Sequence, residues 1–365
     1  HSDKVRLKAP PYRVDMKLEI DVIEEIARLY NYNELDAQYK TEIDFSTEPL
    51  PFELSKPPLR REIADFFIHN GYNEIITQNQ IDPKTAAFIT DEPVKISNPL
   101  GEDLSIMRPS VIPSVLKVIR YNTRMGNKNL KLFEIGKSFR KAYPDENTPV
   151  KGFKETEELT VALTGEKFPK QWAIQNDDAD FYDIKGIVED LLEFLNLEGI
   201  KFKQEESKDK VFGGNTLSMY YKKELIGKFG DVHKDLQKHF DLENKVFIAN
   251  IDLSNVYRID IEPSTYKPVA PYPSIERDLS FVFEESFKAR EVLNEIEQKA
   301  GKYLTDIKIF DVYAGKSLGE GKTSIGFTLH FSSPERTLTD KEVDKSINKV
   351  VQAVEKRFNC KLRKQ

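Results

Sequence analysis

The chain has 365 residues, 39% hydrophobic and 11% aromatic, which is enough to fill the cores of two or three ordinary domains. No apolar run approaches the about 20 residues needed to cross a bilayer, and the opening HSDKVRLKAPPYR lacks the apolar core of a secretion signal, so a soluble, cytoplasmic protein is expected. The single cysteine, Cys360, excludes an internal disulfide and a cysteine metal cage, and a net charge of −6 argues against nucleic-acid binding by the chain as a whole.

The first region, residues 1–45, carries one helix, expected over Asp21–Tyr32, with Val22, Ile23, Ile26, Leu29 and Tyr30 on one side. Around it lie Asp15, Asp21, Glu24 and Glu25. Asp21 and Glu24 have the spacing of a capping pair, and Glu25 by itself reads as a solvated helix residue. Residues 46–58 hold Pro49, Pro51, Pro57 and Pro58, and are expected to be a linker through which neither a helix nor a central strand passes.

The middle region, 59–262, opens with an expected helix over Leu59–Asn70 closed by Gly71. Strand-like runs follow (EIITQNQ, LKLFEIGKSF, LTVALTG, KVFIANIDL), alternating with helices over Val111–Arg124 and Tyr182–Leu195, which reads as a mixed α/β body. A second joint, YKPVAPYPSIERD, with Pro268, Pro271 and Pro273, ends it.

The last region, 263–365, is the most regular. Strand RDLSFVF is followed by a helix carrying Val292, Leu293, Ile296 and Ala300, then by strands DIKIFDVY and TSIGFTLHF. A helix opening at Thr339 with Glu342 as capping box comes next, and the short strand CKLR closes the chain. The order βαββαβ is the ferredoxin-like split, with both helices expected on one sheet face and the other face open.

The loop GKSLGEGKTSIGF inside this region carries Gly321, Lys322 and Thr323 but is not a phosphate loop. Its first glycine position is Lys316, with Gly315 one residue too far back, and the run from Thr323 alternates as a strand instead of opening a helix. On the strands, the apolar alternation of FTLHF sends Thr328 and His330 outward. Asp311 and Tyr313 share a face, and the cost of burying an aspartate puts that face on the open side. A tyrosine beside an acceptor on an open sheet has the makings of a base-stacking platform with a reader, or of an ordinary half-exposed strand. From Pro271 onward seventeen Lys and Arg face fifteen Asp and Glu, so this part carries +2 against −8 for the rest. Lys361, Arg363 and Lys364 at its end leave room for a locally basic face.

Three blocks of the sequence resemble, in order, the bacterial phenylalanyl-tRNA synthetase β chain. PYPSIERDLSFVF, FDVYAGKSLGEGKTSIGFTLHF and SPERTLTDKEV are similar to its ferredoxin-fold anticodon-binding domain. YRVDMKLEIDVIEEIARLYNYNEL is similar to its metal-site domain, and SIMRPSVIPSVL through LFEIGKSFR to its catalytic-like domain. The resemblance implies an α+β, multi-domain chain corresponding to the C-terminal half of that family. Its parts would be a partial acidic metal-site domain (1–45), the linker (46–58), an inactive class II synthetase-like antiparallel sheet domain (59–262) and the anticodon-binding domain (263–365).

It further implies that Asp311, Tyr313, Thr328, His330, Lys361 and Arg363 meet the tRNA-Phe anticodon, Asp311 accepting the N–H groups of a first-base guanine. Asp15, Asp21, Glu24 and Glu25 would supply oxygen ligands to a magnesium ion shared with the α subunit, a donor set unsuited to zinc. The partners implied are the catalytic α chain, in an α2β2 tetramer, and tRNA-Phe, with no membrane; ATP is used only in the holoenzyme. A class II site holds ATP with an arginine followed two residues later by a carboxylate, whereas here Arg140 is followed by Lys141 and Ala142. Near LIGKFGDVHKDL, Gly227 and Gly230 have no accompanying arginine. The chain is therefore expected to be non-catalytic, the alternative being a self-standing class II-like enzyme with degenerate motifs.

Overall fold

A computed structural model of the chain describes residues 6–35, 52–144, 146, 148–174, 176–204, 210–259, 266, 271–284, 287–315, 318–319 and 321–363; Pro49, Pro51, Pro268, Lys316 and Lys364 lie outside them. The chain divides into two compact units, His1–Glu262 and Pro263–Gln365.

The first unit begins with helix α1 (Glu19–Tyr30), two residues earlier than its sequence pattern suggests. The carboxylate of Asp21 accepts the N–H groups of Lys17 and Leu18, both at 2.7 Å, so Asp21 sits inside the first turn and Leu18 is the cap. Helix α2 spans Phe52–His69 and corrects the linker reading, because it runs through Pro57 and Pro58. Those prolines remove only the bonds to the carbonyls of Glu53 and Leu54, so the loss stays near the helix N-terminus, while Ile63 and Phe67 anchor the later turns in the core.

Short strands β1 (Asn73–Glu74) and β2 (Gln80–Ile81) stand where EIITQNQ suggests one continuous strand. Between them Thr77 donates through its N–H and hydroxyl to Glu134, at 3.4 and 2.7 Å, so the backbone leaves the ladder to satisfy a buried carboxylate. Helix α3 (Pro83–Ala86), strands β3 (Val94–Lys95) and β4 (Ile106–Met107) and helix α4 (Ile112–Arg124) follow. Then come β5 (Leu130–Lys141), β6 (Phe153–Thr164), α5 (Phe181–Phe194), β7 (Ile200–Gln204), β8 (Phe212–Tyr221), β9 (Glu224–Val232), α6 (Lys234–His239), β10 (Val246–Asp252) and α7 (Leu253–Val256).

Seven strands join in the order β1-β5-β6-β10-β9-β8-β7, antiparallel except for β1 with β5. Period-two alternation gives this sheet two apolar faces. Leu159, Val161 and Leu163 of β6 pack with Ile63 and Phe67 of α2 and Ile184, Val188 and Leu191 of α5. On the other face Leu132, Ala162 and Ile248 meet Val115, Leu116 and Ile119 of α4 and Leu236 of α6.

The second unit contains β11 (Ile275–Phe283), α8 (Ala289–Ala300), β12 (Leu304–Tyr313), β13 (Thr323–Phe331), α9 (Asp340–Phe358) and β14 (Lys361–Leu362). The sheet order is β12-β13-β11-β14, antiparallel throughout, which is the ferredoxin arrangement. Thr339 and Glu342 form the capping box of α9. Phe281, Phe283, Phe327 and Phe331 on one sheet face are buried against Val292 and Ile296 of α8 and Val343, Val350 and Val354 of α9. At roughly 1.5–3 kcal/mol per buried large side chain, that layer is what fixes the helices to one face.

Candidate nucleic-acid interface

The face of the second sheet opposite its helices is built by register. Ile325, Phe327, Leu329 and Phe331 point to the helices, so Ser324, Gly326, Thr328 and His330 point away. Strict alternation along β12 would place Ile307, Ile309, Asp311 and Tyr313 together beneath the helices. The pairing instead slips by one residue, from Ile309 opposite Phe327 to Asp311 opposite Gly326 and Tyr313 opposite Ser324. This bulge turns Asp311 and Tyr313 onto the open face. Desolvation cost predicts the face correctly where the two-residue period alone would not.

Of the six open-face candidates, four lie on neighbouring strands. Tyr313 is 41% exposed and its phenol lies against Gly315, where any Cβ would collide with it. Thr328 donates to Asp278 at 2.7 Å, and His330 Nδ1 lies 3.2 Å from Glu276. Lys361 pairs with Val282, and the Arg363 N–H donates to the Ser280 carbonyl at 2.7 Å. These two cations therefore stand at the other sheet edge, three strand spacings or roughly 14 Å from Asp311. The sequence reading overlooked Glu276 and Asp278, acids on the same face, and Phe310 inside the bulge. Alternation counted back from Asp311 sends Phe310 beneath the helices, and only the slip, which depends on the partner strand, leaves both on the open face. Lys322 of the Gly-Lys-Thr run pairs with Glu284 at 3.0 Å and holds its carboxyl below the usual range; Gly319 and Gly321 have φ of 95° and 78°, the left-handed turn positions of a hairpin.

The acidic residues near α1 are not gathered into a ligand set. Arg13 donates to Asp15 at 2.7 Å and to Glu25 at 2.6 Å, and Arg28 also donates to Glu25. The Arg13 guanidinium lowers both carboxyls, and the N–H groups of Leu18 and Lys17 lower that of Asp21. Among the described residues no group of three or more His, Cys, Asp or Glu is arranged to hold a metal. The oxygen donors suit magnesium in kind, but the Arg13 guanidinium bonds both Asp15 and Glu25, so the set as arranged does not hold the ion.

In the first unit Arg140 is spent internally. It meets Glu146 with two bonds, at 2.7 and 2.5 Å, and its guanidinium lies 4.6 Å from the Tyr143 ring centre; Glu146 is pulled down to about 2 chiefly by that arginine. Gly227 serves close strand packing, since a Cβ there would stand 2.5 Å from the Asn250 carbonyl. A stretch of the sheet face shared with α4 is polar yet filled. Arg108, 1% exposed, bonds Glu134 at 3.0 Å, Thr77 at 2.7 Å and the Lys137 carbonyl at 2.8 Å. Beside it Glu158 accepts from Ser110 and the Val111 N–H, both at 3.1 Å, and burial pushes its carboxyl up. A Cβ on Gly136 would collide with the Arg108 guanidinium and lie 2.8 Å from Glu134.

Comparison with known proteins covers nearly the whole chain. Three family profiles match: the phenylalanyl tRNA synthetase beta chain CLM domain over residues 54–253, the ferredoxin-fold anticodon binding domain over 270–363, and the tRNA synthetase B5 domain over 1–32. The phenylalanine–tRNA ligase beta subunit of Clostridium tetani is 30% identical over 99% of this chain and 44% of its own length; that of Bacillus licheniformis is 33% identical over 97% and 43%. The chain thus spans less than half the length of these curated relatives. A solved pyrrolysyl-tRNA synthetase from Desulfitobacterium hafniense overlaps with a TM-score of 0.42 at 14% identity, over 55% of this chain and 67% of that one, too slight a likeness to argue from.

Proposed function

The chain belongs to the phenylalanyl-tRNA synthetase beta chain family, and from that premise we propose that it holds the tRNA-Phe anticodon and scaffolds a catalytic α subunit without carrying the reaction itself. The holoenzyme, an α2β2 tetramer in the cytoplasm, would attach phenylalanine to tRNA-Phe with ATP and magnesium, the ATP bound by α. No helix among the described residues is long and apolar enough to cross a membrane. The domains are proposed as a partial metal-site segment up to about residue 45, an inactive class II-like sheet domain that includes all of α2, and an anticodon domain from 263.

The observation that carries this reading is the uncovered sheet face with Asp311 and Tyr313 turned onto it by the bulge. Tyr313 stacks on the first anticodon base, and the Asp311 carboxylate accepts the N1–H and N2–H groups of guanine, where adenine presents a bare N1 acceptor and a C2–H. Thr328 and His330 border the pair, while Lys361 and Arg363 attract the backbone without selecting a base. In the shared magnesium role, Asp15, Asp21, Glu24 and Glu25 would first have to exchange Arg13 for the ion when α docks. The alternative, a self-standing enzyme, is disfavoured by Arg140, whose guanidinium is occupied by Glu146 and Tyr143.

The test is a titration, with the α partner present and at fixed salt, of wild type and Asp311→Ala against tRNA-Phe and a first-base adenine variant. Discrimination worth about 1–3 kcal/mol should disappear in Asp311→Ala. An unchanged ratio of the two affinities would overturn the assignment. Phenylalanine-dependent pyrophosphate exchange by this chain alone, abolished by Arg140→Ala, would instead support the self-standing enzyme.

A further inference from the structure

We propose that Phe310 is a second stacking platform beside Tyr313, so that the open face receives two adjacent unpaired RNA bases and not one; this rests on the anticodon reading above. The residue enters through the bulge. Phe310 is the extra residue between Ile309 opposite Phe327 and Asp311 opposite Gly326, and the slip lets Phe310, Asp311 and Tyr313 all occupy the face away from the helices.

The ring's pose follows from Gly326. A Cβ built there, pointing to the open face, would stand 2.6, 2.8 and 3.0 Å from Cζ, Cε1 and Cε2 of Phe310. Three nearly equal distances mean that one face of the ring lies down on the glycine, because an edge-on ring would leave both Cε atoms markedly farther than Cζ. Phe310 is nonetheless 53% exposed, so its other face is turned to solvent.

Phe310 is neither one of the buried residues of this unit's apolar core nor one of the partly buried residues packed against it. What it offers is a flat apolar surface parallel to the sheet, the geometry on which unpaired bases stack in sheet-based RNA binders. Tyr313 stands opposite Ser324 and the Phe310 ring lies over Gly326, positions two residues apart on β13, or about 7 Å along the strand. That is room for two splayed neighbouring bases, one per ring. The face also bears Glu276, Asp278, Asp306 and Asp311, which favours contact through bases over contact through phosphates. Gly326 is the position that permits the arrangement, since alanine there would lift the ring.

The experiment uses the reconstituted α and β chains. Binding is measured for wild type, Phe310→Ala, Phe310→Trp, Gly326→Ala, Tyr313→Ala and Asp311→Ala against tRNA-Phe and against two tRNAs made abasic at either nucleotide flanking the first anticodon base. Phe310→Ala should bind tRNA-Phe about tenfold more weakly, Phe310→Trp should retain affinity, and Gly326→Ala should weaken it in the same direction. On one of the two abasic tRNAs, Phe310→Ala and wild type should bind alike, while Tyr313→Ala still weakens binding. The proposal is overturned if Phe310→Ala binds as wild type does, or if its loss persists on both abasic tRNAs, the mark of a folding effect. If Tyr313→Ala and Asp311→Ala are also silent, the anticodon reading falls with it; if they are not, only the second platform does.

Discussion

Two sheets in this chain start from the same two-residue alternation and end with opposite uses. The seven-stranded sheet is covered on both faces, and where polar side chains point into a covered face they are consumed there: Arg108 by Glu134, Thr77 and a carbonyl, Glu158 by Ser110 and a backbone N–H. The four-stranded sheet is covered once, so Asp311, Tyr313, Thr328 and His330 remain at the surface. The difference teaches that a polar residue on a strand is structural or functional according to what lies over it.

The comparison breaks most clearly at Arg108. Replacing it with alanine leaves the Glu134 carboxylate buried without its counter-charge, at an expected cost of about 3–5 kcal/mol in urea unfolding; Arg108→Met with Glu134→Leu should recover much of it. An equally large stability loss in Asp311→Ala would erase the distinction between the two sheets. Tyr313→Ala should do the reverse, weakening tRNA binding by about 1–3 kcal/mol with the unfolding midpoint nearly unchanged. A binding curve identical to wild type would return Tyr313 to the status of an ordinary strand residue.

Removing Lys361 and Arg363 together should flatten the salt dependence of tRNA affinity by about 0.7 per cation in log–log slope, alike for cognate and mutant anticodons. A change in base preference would move these cations from attraction to reading. The smallest effect concerns pH. Burial raises the folded-state carboxyl of Glu158, so between its unfolded and folded values the folded state binds the extra proton, and stability falls as pH rises through that window. Glu158→Gln should remove this part of the slope, read as unfolding midpoints from pH 4 upward, whereas substitutions on the open sheet should leave it unchanged.

Much was legible in the sequence. Strand β13 and the capping box of α9 stand where alternation and spacing put them, because both are local signals enforced by a well-packed core. The Pro57–Pro58 pair misled, since a residue-level rule assigns a break whereas the structure sacrifices two bonds near a helix end and keeps the later turns packed. The run EIITQNQ misled for a different reason, its middle being drawn toward Glu134, a residue 57 positions away from Thr77.

The sequence by itself determined the order of elements, the ferredoxin-like split and, through the cost of burying a carboxylate, the side on which Asp311 stands. Tertiary structure alone decided the slip that turns Asp311 and Tyr313 onto the side where Phe310 stands, the neutralisation of Asp15 and Glu25 by Arg13, and the closure of Arg140 on Glu146. Alternation and capping act over a few residues and can be read in line, whereas register, ion pairing and coverage depend on which distant segment arrives opposite, and no local pattern encodes that partner.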